Sequence, residues 1–226
     1  MTKRSMQDIL VLGAGGFGIE VGWLIDDINR VKPSWDMLGF LDADETKWGG
    51  KRYGYNVLGD LDQLESLPRP LSMAVAIGSP QRRKSLVEML RRRNIEFPPL
   101  IHPSVIMSKT VKISEGVIIA AGSVLTVEIH IGAHTHIDTA CAVGHETKLG
   151  EYVRLNPKVS VAGNVTLSDG VYVGSGASII QGLTIGANTV VGAGAVVIRD
   201  LPANVVAVGN PARVIKGNAS LNKRNC

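Results

Sequence analysis

From Ile101 to Val197 every sixth residue is aliphatic or Met, seventeen positions without an insertion: Ile101, Met107, Ile113, Ile119, Leu125, Ile131, Ile137, Val143, Leu149, Leu155, Val161, Leu167, Val173, Ile179, Ile185, Val191 and Val197. The residue after each is usually small, as at Gly132, Gly144, Gly150, Ala162, Gly174, Gly186 and Gly192. The fifth position of each unit is mostly Val, Thr, Ala or Cys. A period of six is neither helical nor a plain alternating strand. It fits a three-faced prism in which one hexapeptide makes one face. The aliphatic side chain points inward, and the small residue beside it lets the chain turn the corner. Three units make a coil, neighbouring coils pair as parallel strands about 4.8 Å apart, and no unit buries its face alone.

The first half of the chain has a different pattern. Gln7–Leu12, with its apolar run Ile9–Leu12, predicts a buried strand. Gly13-Ala14-Gly15-Gly16-Phe17-Gly18 follows it and matches G-x-G-x-x-G. An amphipathic helix is predicted over 19–28, a second strand over 36–41 ending at Asp42, a third over 71–77 and a helix from about Pro80 to Arg93. This is a β-α-β-α-β unit, a Rossmann-like α/β domain. Its glycines either tighten a βα turn or let a phosphate approach free backbone N–H groups. On the second reading Gly13 and Gly15 hold the phosphate side and Asp42 faces a ribose or base. Three strands are half a dinucleotide fold, so a mononucleotide or nucleotide-sugar is expected in preference to NAD. Phe97-Pro98-Pro99 suits a linker. The expected domains are 1–97, 98–200 and a closing segment with a tail, 201–226, whose last ten residues look frayed.

Bulk properties narrow the classes. Hydrophobic content of 45% and charged content of 19% fit a packed chain and argue against disorder. Aromatics at 4% beside 26 glycines suit narrow interior slots. The net charge of +4 is mild, and the clusters Arg82-Arg83-Lys84 and Arg91-Arg92-Arg93 lack the interleaved aromatics of a nucleic-acid binder. They are expected on a solvated helix face. Two cysteines, Cys141 and Cys226, form neither a disulfide framework nor a zinc pattern. Cys141 is expected to pack inward. With no signal peptide and no membrane-spanning run in view, a reducing cytoplasm is the expected home.

The repeat over residues 101–200 resembles the hexapeptide-repeat acyltransferases. That resemblance implies a left-handed coil and a homotrimer with active sites between adjacent subunits. With the short Rossmann-like domain before it, the whole chain resembles the group of bacillosamine-pathway and perosamine N-acetyltransferases and sialic acid O-acetyltransferases. The group implies acetyl-CoA as co-substrate and a nucleotide-sugar on the N-terminal domain. Val143-Gly144-His145-Glu146 matches the family's catalytic base followed by an acid. An attacking amine or hydroxyl must lose a proton, and histidine titrates near neutrality. The carboxylate would orient the ring.

Eighteen residues on, Gly163 stacks over His145. In the family's Ala-Gly-Asn context, here Ala162-Gly163-Asn164, the glycine amide is implied as donor to the thioester oxygen. The bacillosamine enzymes place a second histidine nine residues after the base, whereas this chain has Arg154, which stacks over His136. Arg154 cannot be a base but can hold a phosphate or carboxylate. Asp138 either meets the sugar amine or bonds its own backbone. Asn164, Gly174, Gly192, Arg213 and Lys216 are expected along acetyl-CoA, the last two at its phosphates, because Val208–Lys216 resembles the family's closing segment.

Three further readings stay open. One is O-acetylation of sialic acid. Another is a zinc hydratase of the γ-carbonic anhydrase type, although Gly150 stands where that pattern needs a histidine. The third is a nucleotide-binding regulator. No metal is expected.

Overall fold

A computed structural model describes residues 6–67 and 70–218. Contacts divide the chain into two compact units, Met1–Pro103 and Ser104–Cys226. Residues 219–226, most of the expected tail together with Cys226, lie outside the described residues.

The first unit is a twisted sheet flanked by helices. Strand β1 (Gln7–Leu12) leads through the glycine turn into helix α1 (Gly16–Val31), and β2 (Trp35–Leu41) returns parallel to β1. A short antiparallel pair follows, β3 (Lys51–Arg52) and β4 (Tyr55–Gly59), and then β5 (Leu71–Val75), α2 (Pro80–Leu90) and β6 (Ile95–Glu96). The spatial order is β3-β4-β2-β1-β5-β6. The sheet therefore has six strands where the hydrophobic pattern predicts three, since the added strands are short and bounded by glycine or polar residues. The expected second helix ends at Leu90, and Arg91–Arg93 tighten into a 3-10 turn. The basic face also differs from expectation. Arg83 is fully buried and donates to the Ile77 carbonyl at 2.7 Å.

The second unit is a left-handed parallel β-helix. Two-residue strands pair at a register of eighteen: Ala142 with Ser160, His136 with Arg154 and His130 with Lys148. The inward positions from Ile119 to Val197 are all buried, while Met107 and Ile113 near the start are partly open. Cys141 is also buried, and desolvation pushes its thiol up to about 11. That makes it a core group rather than a nucleophile. Corners are tight enough to explain their small residues. A Cβ on Gly144 would lie 2.5 Å from the Gly163 nitrogen.

At most corners the residue three places beyond the inward aliphatic one adopts a left-handed backbone, including Glu128, Ala140, Glu146, Tyr152, Lys158 and Asn164. Non-glycine residues seldom do so. The closing segment then takes up the last coil. Ala207 accepts from Gly192 N–H, Leu201 donates to Thr184, and Gly209 accepts from Val196 N–H. Val205–Val208 continues into an antiparallel pairing with Arg213–Gly217.

Candidate active site

His145 and Glu146 follow the strand Ala142–Val143 at one corner of the prism. The Glu146 carboxylate lies 3.0 Å from His145 Nδ1, and both side chains are about half exposed. A carboxylate only accepts, so Nδ1 carries the proton and the lone pair is left on Nε2. That nitrogen faces Gly163. A Cβ built on Gly163 would stand 2.4 Å from His145 Nε2. The eighteen-residue stacking is thus realised, and glycine is the residue that leaves room for the ring. The Asn164 N–H donates to the His145 carbonyl at 2.6 Å, which ties the two coils at this point. The Gly163 N–H has no hydrogen-bond partner among the described residues. The corner therefore offers a base nitrogen beside an unused amide donor, the two groups an acyl transfer needs.

Asp138 and Arg154 lie elsewhere. Arg154 Nη2 donates to the Asp138 carboxylate at 2.6 Å, Nη1 is 3.4 Å from His136 Nδ1, and both members of the ion pair are buried. Asp138 also accepts from the Thr139 N–H. This buried guanidinium is committed to a carboxylate of its own chain. Removing one partner of such a pair leaves an uncompensated charge. Asp138→Ala is expected to cost about 3–5 kcal/mol, read as a lower urea midpoint. Replacing both residues with apolar ones should recover most of the loss.

Gly174 and Gly192 lie eighteen-residue steps beyond Asp138, on its corner and not on that of His145. A Cβ on Gly174 would meet the Ala193 nitrogen at 2.4 Å and one on Gly192 would meet Val208 Cγ1 at 2.7 Å. Coil packing alone therefore demands both glycines. The two corners border the same face. Its outward residues, Ile106, Val124, Ala142, Ser160, Ser178 and Val196, carry no charge, and the first four are exposed. Arg213 and Lys216 are exposed on the closing hairpin.

In the first unit the glycine turn has a clear division of labour. Gly13 has φ +107°, and a Cβ on Gly18 would overlap the Gly13 carbonyl oxygen. At Gly15 a Cβ would meet nothing within 4 Å, so its absence leaves backbone open to a ligand. Asp42 turns its carboxylate onto this turn. It accepts from Ala14 N–H at 2.7 Å and Asp44 N–H at 2.9 Å, and Lys47 Nζ lies 3.1 Å from both oxygens. Burial opposes its charge, but these donors outweigh burial and hold the carboxyl below the usual range. Asp42 thus braces the turn, where the spacing alone suggests a ribose contact.

His102 is committed as well, 2.9 Å from the Asp27 carboxylate. His134 stacks on Tyr152. Among the described residues no group of three His, Cys, Asp or Glu side chains is placed to hold a metal ion. No described helix is long and apolar enough to cross a membrane.

Comparisons with known proteins agree on the relatives. Residues 8–90 match the PglD N-terminal domain family. The perosamine N-acetyltransferase of Caulobacter crescentus, solved as a histidine-to-asparagine mutant with CoA and GDP-perosamine, is 33% identical with a TM-score of 0.84, covering 93% of this chain and 97% of that one. WeeI from Acinetobacter baumannii AYE is 31% identical with a TM-score of 0.84, covering 93% of this chain and all of that one. A curated relative, the UDP-N-acetylbacillosamine N-acetyltransferase of Bacillus subtilis, is 35% identical over 117 residues. That match spans about half of each protein, 51% of this chain and 52% of the relative.

Proposed function

Since this chain belongs to the family of hexapeptide-repeat sugar N-acetyltransferases that includes the perosamine and bacillosamine enzymes, we propose that it transfers acetyl from acetyl-CoA to the amino group of a nucleotide-linked 4-amino-4,6-dideoxy sugar. The observation that carries this reading is the His145 corner, with Glu146 on one ring nitrogen and Gly163 facing the other. The relatives' own ligands, CoA with GDP-perosamine, support the substrate class.

In this mechanism the sugar amine attacks the thioester carbon directly. Its proton passes to His145 Nε2 as the C–N bond forms. The thioester oxygen gains negative charge, which the Gly163 N–H accommodates. Collapse of the tetrahedral adduct breaks the C–S bond and expels CoA thiolate, which recovers a proton from the imidazolium. Glu146 holds the ring in orientation. No acyl-enzyme forms, in keeping with a buried Cys141 thiol.

The uncharged face around Ala142 supports a homotrimer. Turning that face toward a three-fold axis would bring the Asp138–Gly174 corner of one subunit beside the His145 corner of the next, so each site would draw on two chains. Ser160→Asp puts a charge in the middle of that face. Light scattering is expected to give three chains for the native protein and one for the variant. A variant that keeps the native mass overturns the assignment of the face. Arg213 and Lys216 are proposed to meet CoA phosphates, with Asn164 on the acyl-chain side. A cytoplasmic role in cell-surface glycan synthesis completes the reading.

The test is release of free CoA thiol from acetyl-CoA, offered with UDP-, GDP- and dTDP-linked 4-amino-4,6-dideoxy sugars and with sialic acid. Rapid release with one amino sugar is the expected result. Release with sialic acid alone would move the activity to O-acetylation.

A further inference from the structure

The glycine turn leaves one question open. If a nucleoside diphosphate lies over Gly15 and Asp42 is fully occupied within the chain, some other group must hold the base. Asp42 accepts two backbone N–H bonds and the Lys47 ammonium, which fills the roughly four acceptor sites of a carboxylate. The residue beside it is Trp48. Its indole N–H donates to the Asp42 carbonyl at 2.8 Å, and the residue is 39% exposed.

This ring is fixed in place. It closes a 3-10 turn, Glu45–Lys47, capped by the Asp44 carboxylate accepting from Thr46 N–H. The backbone N–H of Trp48 donates to Glu45. The carbonyl that holds the indole and the carboxylate that holds the Ala14 N–H belong to one residue. Asp42 therefore links the indole to the glycine turn. An indole that has satisfied its polar atom presents only apolar surface to solvent. A large apolar ring held still at the tip of β2 has the chemistry to stack on a flat heterocycle.

We propose that Trp48 is the stacking platform for the nucleobase of the sugar nucleotide. This rests on the reading that the nucleotide sits at the glycine turn. Stacking is tolerant of base identity, so Trp48 supplies affinity and leaves choice among bases to other groups. Lys47, held between Asp42 and Asp44, keeps the platform and the turn in register.

The experiment is calorimetric titration of the intact protein with UDP, GDP and dTDP, for the native chain and for Trp48→Ala, Trp48→Phe and Gly15→Val. The best-bound nucleotide should bind roughly tenfold to a hundredfold more weakly to Trp48→Ala. Trp48→Phe keeps a ring but loses the tether, and it should retain most of the affinity. Gly15→Val adds a side chain to open space, so it folds but blocks the phosphate, and its binding should be lost. Native affinity in Trp48→Ala, beside loss in Gly15→Val, overturns the platform and leaves the nucleotide site standing. A phenylalanine variant as weak as the alanine one also overturns stacking, since the tether alone would then explain the loss. A native protein that ignores all three nucleotides removes the reading beneath the proposal and the proposal with it.

Discussion

His145→Ala is expected to lower kcat/KM for acetyl transfer by about 10²–10⁴-fold, the range for removing a general base. The side chain is about half exposed and, among the described residues, its hydrogen bond goes to Glu146, so the coil should form without it. The urea midpoint and the mass in solution should match the native protein. The loss should fall in kcat rather than in acetyl-CoA binding, because in the proposed mechanism the ring acts on the amine proton and not on the nucleotide. A folded His145→Ala protein with native turnover would overturn the assignment of the base. In the proposed mechanism Glu146 acts through His145, so Glu146→Gln should cost less than removal of the ring.

The second large effect comes from adding one methyl group. A backbone donor cannot be deleted by changing a side chain, which makes an amide such as that of Gly163 hard to probe. The stacking supplies another way. Gly163 has no positive φ, so alanine can adopt its backbone, yet an added Cβ would lie 2.4–2.8 Å from three atoms of the His145 ring. The imidazole must swing away, since it is the free end of a side chain while Gly163 is held by Asn164 N–H bonding back to His145. Gly163→Ala therefore displaces the base and crowds the donor together, and kcat should fall by at least the roughly 10²–10³ of losing one oxyanion donor. Nuclear magnetic resonance of the His145 ring in native and variant protein would register the displacement. Native kcat with an unmoved ring would refute the stacked geometry of the site.

Much of this was legible in the chain itself. A strict six-residue period of aliphatic or Met positions dictates inward stacking, and eighteen-residue arithmetic places Gly163 on His145. Side-chain reach is where the arithmetic ends. It sets Arg154 over His136, but a long guanidinium bends two positions along the coil to Asp138, and a repeat does not encode that choice. The left-handed corners were hidden too. Glu128, Ala140, Tyr152 and Lys158 carry no glycine signal, and the fold imposes the conformation through the turn.

In the first unit the spacing of Asp42 from the glycine turn is visible, while the direction of its carboxylate depends on Ala14, Asp44 and Lys47 together. Trp48 is not legible in the same way, because a single aromatic six residues past Asp42 has no repeating pattern around it. Its signal is the Asp44-Glu45-Thr46-Lys47-Trp48 run, whose aspartate caps the short turn.

The hairpin at the end of the helix has a bearing on how this protein behaves in a crowded solution. A stack of parallel coils ends in three bare strand edges, each able to recruit another chain and so begin a fibril. Here Leu201, Val206–Ala207 and Gly209 occupy all three directions, and the chain then reverses into an antiparallel strand that no further coil can continue. The closing segment thus acts as a terminator of growth. The regularity that makes the prism easy to build stays confined to one molecule.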